Sequence, residues 1–193
     1  MSHQRRVGRV LVFISLVWMW AAAPLRAESP GEADPLEQAY LFWQAGYFFH
    51  LSGEFDKAIL LFQRSIDVRP TAEAHTFLGW SLSKLGRFER AISECKKAIA
   101  LDAEYGNPYN DIGVYLIELG RPDDAIPWLK QAVEAKRYCC YEFPHFNLGR
   151  ILLEKGRIAE AKRSFERALS HRPSYLPALR ALQLITEQGL EPL

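Results

Sequence analysis

Small and apolar positions along this chain fall into a pattern that returns. From about residue 39 onward, short amphipathic stretches alternate with glycine-containing breaks. Four triples show it best: Ala58, Phe62 and Ser65; Ala91, Cys95 and Ala98; Ala125, Leu129 and Ala132; Ala161, Phe165 and Ala168. Their i, i+4, i+7 spacing puts each triple on one face of a helix with 3.6 residues per turn. Five residues before each leading alanine stands a glycine (Gly53, Gly86, Gly120, Gly156), and seven before that another (Gly46, Gly79, Gly113, Gly149). The earlier glycines are 33, 34 and 36 residues apart.

A fixed period in this range marks stacked supersecondary units. The spacing predicts a helical hairpin. A first helix carries the early glycine, which lets a second helix approach its backbone, and the later glycine ends the first helix in a left-handed cap. Small residues at the crossing permit close contact, and the bulky middle residue fills the gap to the next hairpin. One hairpin cannot bury its apolar face alone, so neighbours must stack. The predicted units are 39–71, 72–105, 106–141 and 142–175. A capping helix over 176–188 and a tail over 189–193 follow, so the repeat domain spans 35–188.

Local chemistry agrees. Asp34, Pro35 and Glu37 supply an N-cap, a proline at the first helical position and an acid in the first turn. Asn107-Pro108 and Phe143-Pro144 open later first helices, and Pro122 opens the second helix of unit three, with Pro127 near its first turn, where a missing N–H is tolerated. Two extra residues around 137–141 lengthen the loop into unit four.

The segments "FLGWSLSKLGRFERAISECKKAIALD", "DIGVYLIELGRPDDAIPWLKQAVEAK" and "NLGRILLEKGRIAEAKRSFERALSHRP" fill almost every signature position of the tetratricopeptide repeat, and the chain resembles that family over roughly residues 39–175. The resemblance implies an all-α, right-handed α-solenoid of four hairpins whose first helices line a concave groove. Gly46, Ala58, Gly79, Ala91, Gly113, Ala125, Gly149 and Ala161 would be its structural positions. Carried over residue by residue, the groove-facing positions include Tyr40, Trp43, Tyr47 and His50 in unit one. Thr76 and Trp80 follow in unit two, Asn107 and Asn110 in unit three, and Phe143, Phe146 and Arg150 in unit four. Aromatic anchors beside amides suit an extended or helical peptide. The alternatives for these aromatics are packing against a second copy or the N-terminal segment, and plain core packing. The cations with which co-chaperones of this family hold a C-terminal carboxylate are replaced by Trp43, Tyr47, Phe77, Asn107 and Asp111, so that mode is not expected.

The chain has 193 residues, 49% apolar and 24% charged, with 24 Lys and Arg against 23 Asp and Glu. That is a globular composition, and a net charge of +1 gives no electrostatic reason to expect nucleic acid. Residues 1–27 read differently. Arg5, Arg6 and Arg9 precede an apolar run over 10–23 in which Ser15 is the sole polar residue, and Leu25-Arg26-Ala27 precedes a polar linker over 28–34. This is the layout of an export signal ending at Ala27. The run is shorter than the roughly 20 residues that span a bilayer. Export to the periplasm is therefore the expectation, with membrane contact only through the signal, and an uncleaved inner-membrane anchor through residues 10–23 is the alternative. Loss of the signal removes four Arg and no acid, leaving a mildly acidic domain.

Catalytic chemistry is not expected. The glycines follow the repeat and not a strand, so they form no phosphate loop. The histidines show no i, i+4 pairing, and no cofactor or metal is expected. Cys139-Cys140, with His145 nearby, leaves three readings: a metal or redox site, a vicinal disulfide or reactive thiol, or two small residues packed in a loop. The expected function is a non-catalytic, exported scaffold that binds a protein or peptide segment and assists assembly of an envelope complex. Among exported proteins of this type, the arrangement resembles small pilus- or secretin-assembly adaptors. Those usually carry a lipidated cysteine after the signal, and here no cysteine precedes Cys95. A self-associating structural protein, using the aromatic first helix as a homodimer interface, is the alternative.

Overall fold

The computed structural model describes residues 34–187 and Gly189; the expected export signal, the linker up to residue 33, and residues 188 and 190–193 lie outside the described residues. Among the described residues nine helices follow one another: α1 (Pro35–Leu51), α2 (Phe55–Val68), α3 (Ala72–Lys84), α4 (Phe88–Leu101), α5 (Asn107–Glu118), α6 (Pro122–Glu134), α7 (Glu142–Glu154), α8 (Ile158–His171) and α9 (Leu176–Glu187). Among the described residues no strand forms, and an isolated parallel bridge joins Tyr105 to Arg137.

Consecutive helices pair as antiparallel hairpins, α1 with α2 through α7 with α8, and each second helix packs on the next first helix. The first helices α1, α3, α5 and α7 also touch in succession, which makes a solenoid. The repeated triples carry the core. Ala58, Phe62, Ala91, Cys95, Ala98, Ala125, Leu129, Ala132, Ala161, Phe165 and Ala168 are all fully buried. Full burial of a side chain such as Phe62 is worth about 1.5–3 kcal/mol. Ser65 stands where the other units carry alanine, and its hydroxyl donates to the carbonyl of Ala39 across 2.8 Å, so the polar substitute is satisfied.

The close approach is tightest in units three and four. A Cβ on Gly113 would lie 2.5 Å from Cδ2 of Leu129, closer than atoms can pack. Gly86 ends α3 with φ 70°, a conformation in which a side chain is strained, and the corresponding glycine of each other unit repeats it. The Asp34 carboxylate accepts from the backbone N–H of Leu36 at 3.0 Å and caps α1 ahead of Pro35.

Pro127 corrects one detail. It is the sixth residue of α6, past the first turn, so its ring removes a bond that the carbonyl of Asp123 would otherwise accept. The helix continues through it, and Pro127 is exposed. After His171, α9 lays Ala178 and Ile185 against Ala161, Phe165 and Ala168 and closes the stack.

Candidate functional site

The first helices present a face built from aromatic rings at both ends and polar groups between them. On α1, Tyr40, Trp43 and Tyr47 recur at helical spacing, and their rings stack nearly parallel, with centroids 6.1 and 5.6 Å apart. Phe77 of α3 meets Trp43 and Tyr47 edge-on at 5.2 and 5.3 Å, and meets Trp80 edge-on at 5.0 Å. Each such pair adds about 0.5–1.5 kcal/mol beyond area burial, so the ladder is pre-ordered. Tyr40 is 54% exposed and Tyr47 36%, while Trp43 and Trp80 are half-buried. A cavity of about 260 Å³ opens beside the ladder, lined by Leu36, Ala39, Tyr40, Trp43, Ser65 and Arg69 among others. Nε1 of Trp43 is buried and among the described residues has no acceptor.

One polar pair stitches each first helix to the next. Nδ1 of His50 lies 2.9 Å from the Ser81 hydroxyl, joining α1 to α3. Nε1 of Trp80 donates to Oδ2 of Asp111 at 2.6 Å, joining α3 to α5. Nδ2 of Asn147 donates to Oδ1 of Asn110 at 3.3 Å, joining α7 to α5. Burial raises the Asp111 pKa to about 7, although the hydrogen bonds from Trp80 and Asn110 favour the carboxylate and hold the rise in check. Burial, helped by Lys84, lowers the pKa of His50 and so favours the neutral ring.

At the far end, Phe143 and Phe146 of α7 both meet Tyr175 edge-on, at 5.7 and 5.4 Å. Arg150 is exposed, and Asn107, Phe143 and Phe146 are half-buried.

Three residues placed on this face by the sequence do not reach its surface. His50 and Asn110 are 8% exposed and spend their polar atoms on the interhelical pairs, and Thr76, 1% exposed, donates to the carbonyl of Ala72 at 2.7 Å. They hold the wall together, and a ligand would meet their neighbours. Conversely, the sequence marked Phe77 and Asp111 only as replacements for carboxylate-binding residues, and gave neither the place it holds here: Phe77 is the ring that joins the α1 ladder to Trp80, and Asp111 is a carboxylate in the floor. An acid inside the apolar run of α5 was the available signal for Asp111.

The lengthened loop before α7 is built in rather than slack. Arg137 bonds Glu73 at 2.8 Å and Asp102 at 2.5 Å, and its guanidinium lies 4.1 Å over the Tyr105 ring. Cys139 and Cys140 close as a vicinal disulfide, which selects one of the readings open from sequence. Among the described residues no cluster of His, Cys, Asp or Glu has the makings of a metal site, and no helix is long and apolar enough to cross a membrane.

Models of the tetratricopeptide repeat match residues 52–106, 78–138 and 143–175. The type IV pilus assembly protein PilF of Pseudomonas aeruginosa is 26% identical over 165 residues, covering 80% of this chain and 65% of that protein. DnaJ homolog subfamily C member 3 of Rattus norvegicus is 28% identical over 107 residues, covering 55% of this chain and 21% of its own length. The chain thus spans less than two thirds of either relative. Among solved structures, Pseudomonas aeruginosa PilF superposes with a TM-score of 0.74 at 23% identity, covering 80% of this chain and 71% of its own. YrrB, described as carrying an unusual peptide-binding site, superposes with a TM-score of 0.62 at 19% identity, covering 75% and 74%. These likenesses carry the fold.

Proposed function

Because this chain belongs to the tetratricopeptide repeat family, we propose that it is a non-catalytic scaffold that holds a protein segment along its first helices, in the envelope. The observation that carries the reading is the part-exposed stack of Tyr40, Trp43 and Tyr47 beside an apolar cavity. Rigid aromatic rings bury large area at small entropic cost. Export rests on residues 1–27, and a role in assembling an envelope complex draws support from the likeness to a pilus assembly protein. Mass spectrometry of the exported protein would find residue 28 at the N-terminus; an intact signal would favour the tethered reading.

The test of the groove is co-purification from envelope extracts. Trp43→Ala and a Tyr40→Ala, Tyr47→Ala pair should each lose the partners that the wild-type chain retains, with helical content intact. Equal recovery removes the groove from this face.

One observation favours the second reading, a homodimer. The outward stripe of α1 leaves Leu41, Phe48 and Leu51 54%, 64% and 68% exposed. A scattered apolar residue is ordinary, but a stripe along one helix marks an interface. Sizing at falling concentration decides it: a monomer throughout excludes the dimer.

A further inference from the structure

The repeats supply their own comparison at one position. The fourth residue of each first helix region faces the second helix of the same hairpin, and three units satisfy it internally. In unit one, Arg64 lies over the Phe42 ring at 5.9 Å. In unit three, Tyr109 packs on Trp128 at 6.2 Å. In unit two, Nδ1 of His75 lies 2.7 Å from the carboxylate of Glu94, which also takes Lys97 at 2.8 Å.

Unit four repeats unit two seventy residues later, with the carboxylate gone. His145 stands for His75 and Arg167 for Lys97, but Ser164 stands for Glu94. The Ser164 hydroxyl turns back to the Glu160 carbonyl at 3.0 Å. His145 is 7% exposed and stacks on His171 at 5.4 Å, and among the described residues its ring nitrogens have no hydrogen-bond partner. It lines a crevice of about 430 Å³ between α6 and α8, which shares no lining residue with the cavity beside the aromatic ladder. Lys130, Arg163 and Arg167 line the same crevice, and among the described residues none of them has a carboxylate within ion-pair distance. Of the two acids there, Glu160 is bonded by Arg157 and also feels the charge of Arg163, which leaves Glu134 facing Lys130 and Arg167. Val133, Leu148 and Leu152 supply an apolar wall.

We propose that this crevice is a carboxylate-binding site that takes an Asp or Glu side chain of a partner peptide, seated where unit two carries Glu94. His145 and Arg167 receive the carboxylate as His75 and Lys97 receive Glu94, Lys130 and Arg163 draw in neighbouring acids, and an adjacent apolar side chain rests on Val133 and Leu152. Charge-assisted bonds from a guanidinium are stronger than neutral ones and set orientation. The site is separate from the aromatic face and does not depend on it.

The probe is a fluorescein-labelled, end-capped peptide of sequence Leu-Glu-Glu-Leu-Glu-Glu, followed by anisotropy with the full-length chain, beside an isosteric peptide with Gln for Glu. The Glu peptide should bind at least about ten-fold tighter. Ser164→Glu should restore the internal carboxylate and weaken that binding by about ten-fold or more. Arg167→Gln, an exposed change that leaves the crevice open, should weaken it similarly. Arg90→Gln, which removes an exposed cation of α4, should not. Equal binding of the two peptides, unchanged binding to Ser164→Glu or Arg167→Gln, or an equal loss in Arg90→Gln would overturn the proposal. Displacement of the peptide by inorganic phosphate at matched concentration would assign the site to phosphate and overturn it too.

Discussion

The indole of Trp80 holds the carboxyl group of Asp111 across 2.6 Å, and among the described residues no cation pairs with that acid. A carboxyl group 7% exposed without a counter-ion is costly to ionise. In the fold it titrates at about 7, whereas in the unfolded chain it titrates near 4. Its folded pKa is raised, so its contribution to stability is full below about pH 4 and is lost as the pH rises through about 7. Asp111→Asn keeps an acceptor for the indole and has nothing to ionise. The variant should be more stable than wild type by roughly 2–4 kcal/mol at about pH 8 and nearly equal to it at about pH 4, by urea unfolding. Equal stability at both would show that the acid is already neutralised.

His145 has the opposite slope. Burial, with His171 and Arg167 nearby, lowers its pKa to about 4, against about 6.5 when unfolded. Its contribution is intact above about 6.5 and is lost as the pH falls through about 4. His145→Gln should flatten that acid limb by about 1–2 kcal/mol. In Ser164→Glu the new carboxylate should move the His145 titration upward, as followed by NMR of the ring proton.

Gly113 and Leu129 test the close packing of hairpins. Gly113→Ala places a methyl group 2.5 Å from the side chain of the fully buried Leu129, which must shift within a packed core, and should cost about 1–3 kcal/mol. Gly79→Ala meets its neighbours at 3.2 Å and should cost less. Adding Leu129→Ala to Gly113→Ala should leave the pair less destabilised than the sum of the single changes. Additive losses would refute the clash.

What repeats could be read from sequence, and what does not repeat could not. The glycines and the triples around Phe62, Cys95, Leu129 and Phe165 announced hairpins and core because four units demand the same geometry at the same spacing. The stitches between first helices pair a different chemistry at each junction: a histidine with a serine, an indole with an acid, an amide with an amide. No recurrence marks them, and their partners lie 31 to 37 residues apart. The family's groove positions placed Tyr40, Trp43, Tyr47 and Trp80 on one face. They misjudged the depth of His50, Thr76 and Asn110, because depth depends on the partner each polar atom finds.

Arg137 ties down the loop between α6 and α7. The extra length at 137–141 reads as a loose loop, yet this side chain clamps it to Glu73, Asp102 and the Tyr105 ring. Exposed ion pairs are weak singly, and the stacked, two-acid arrangement should make Arg137→Ala cost about 1 kcal/mol. Chymotrypsin should then cleave after Tyr138 faster than in the wild type. Arg137→Lys should not restore protection, because an ammonium lacks the planar fork. Unchanged cleavage would mean the loop is held by other contacts.

Each hairpin rests only on the ones beside it, and the last hairpin shares a separate apolar cluster with α9. Stretched between its two termini, such a molecule has no single shear plane to rupture. It should lengthen in steps as successive hairpins peel away, with the α8–α9 end yielding by itself, so that an optical-trap trace would show a staircase rather than one drop. A partner seated across several first helices would have to be torn from all of them before the staircase began.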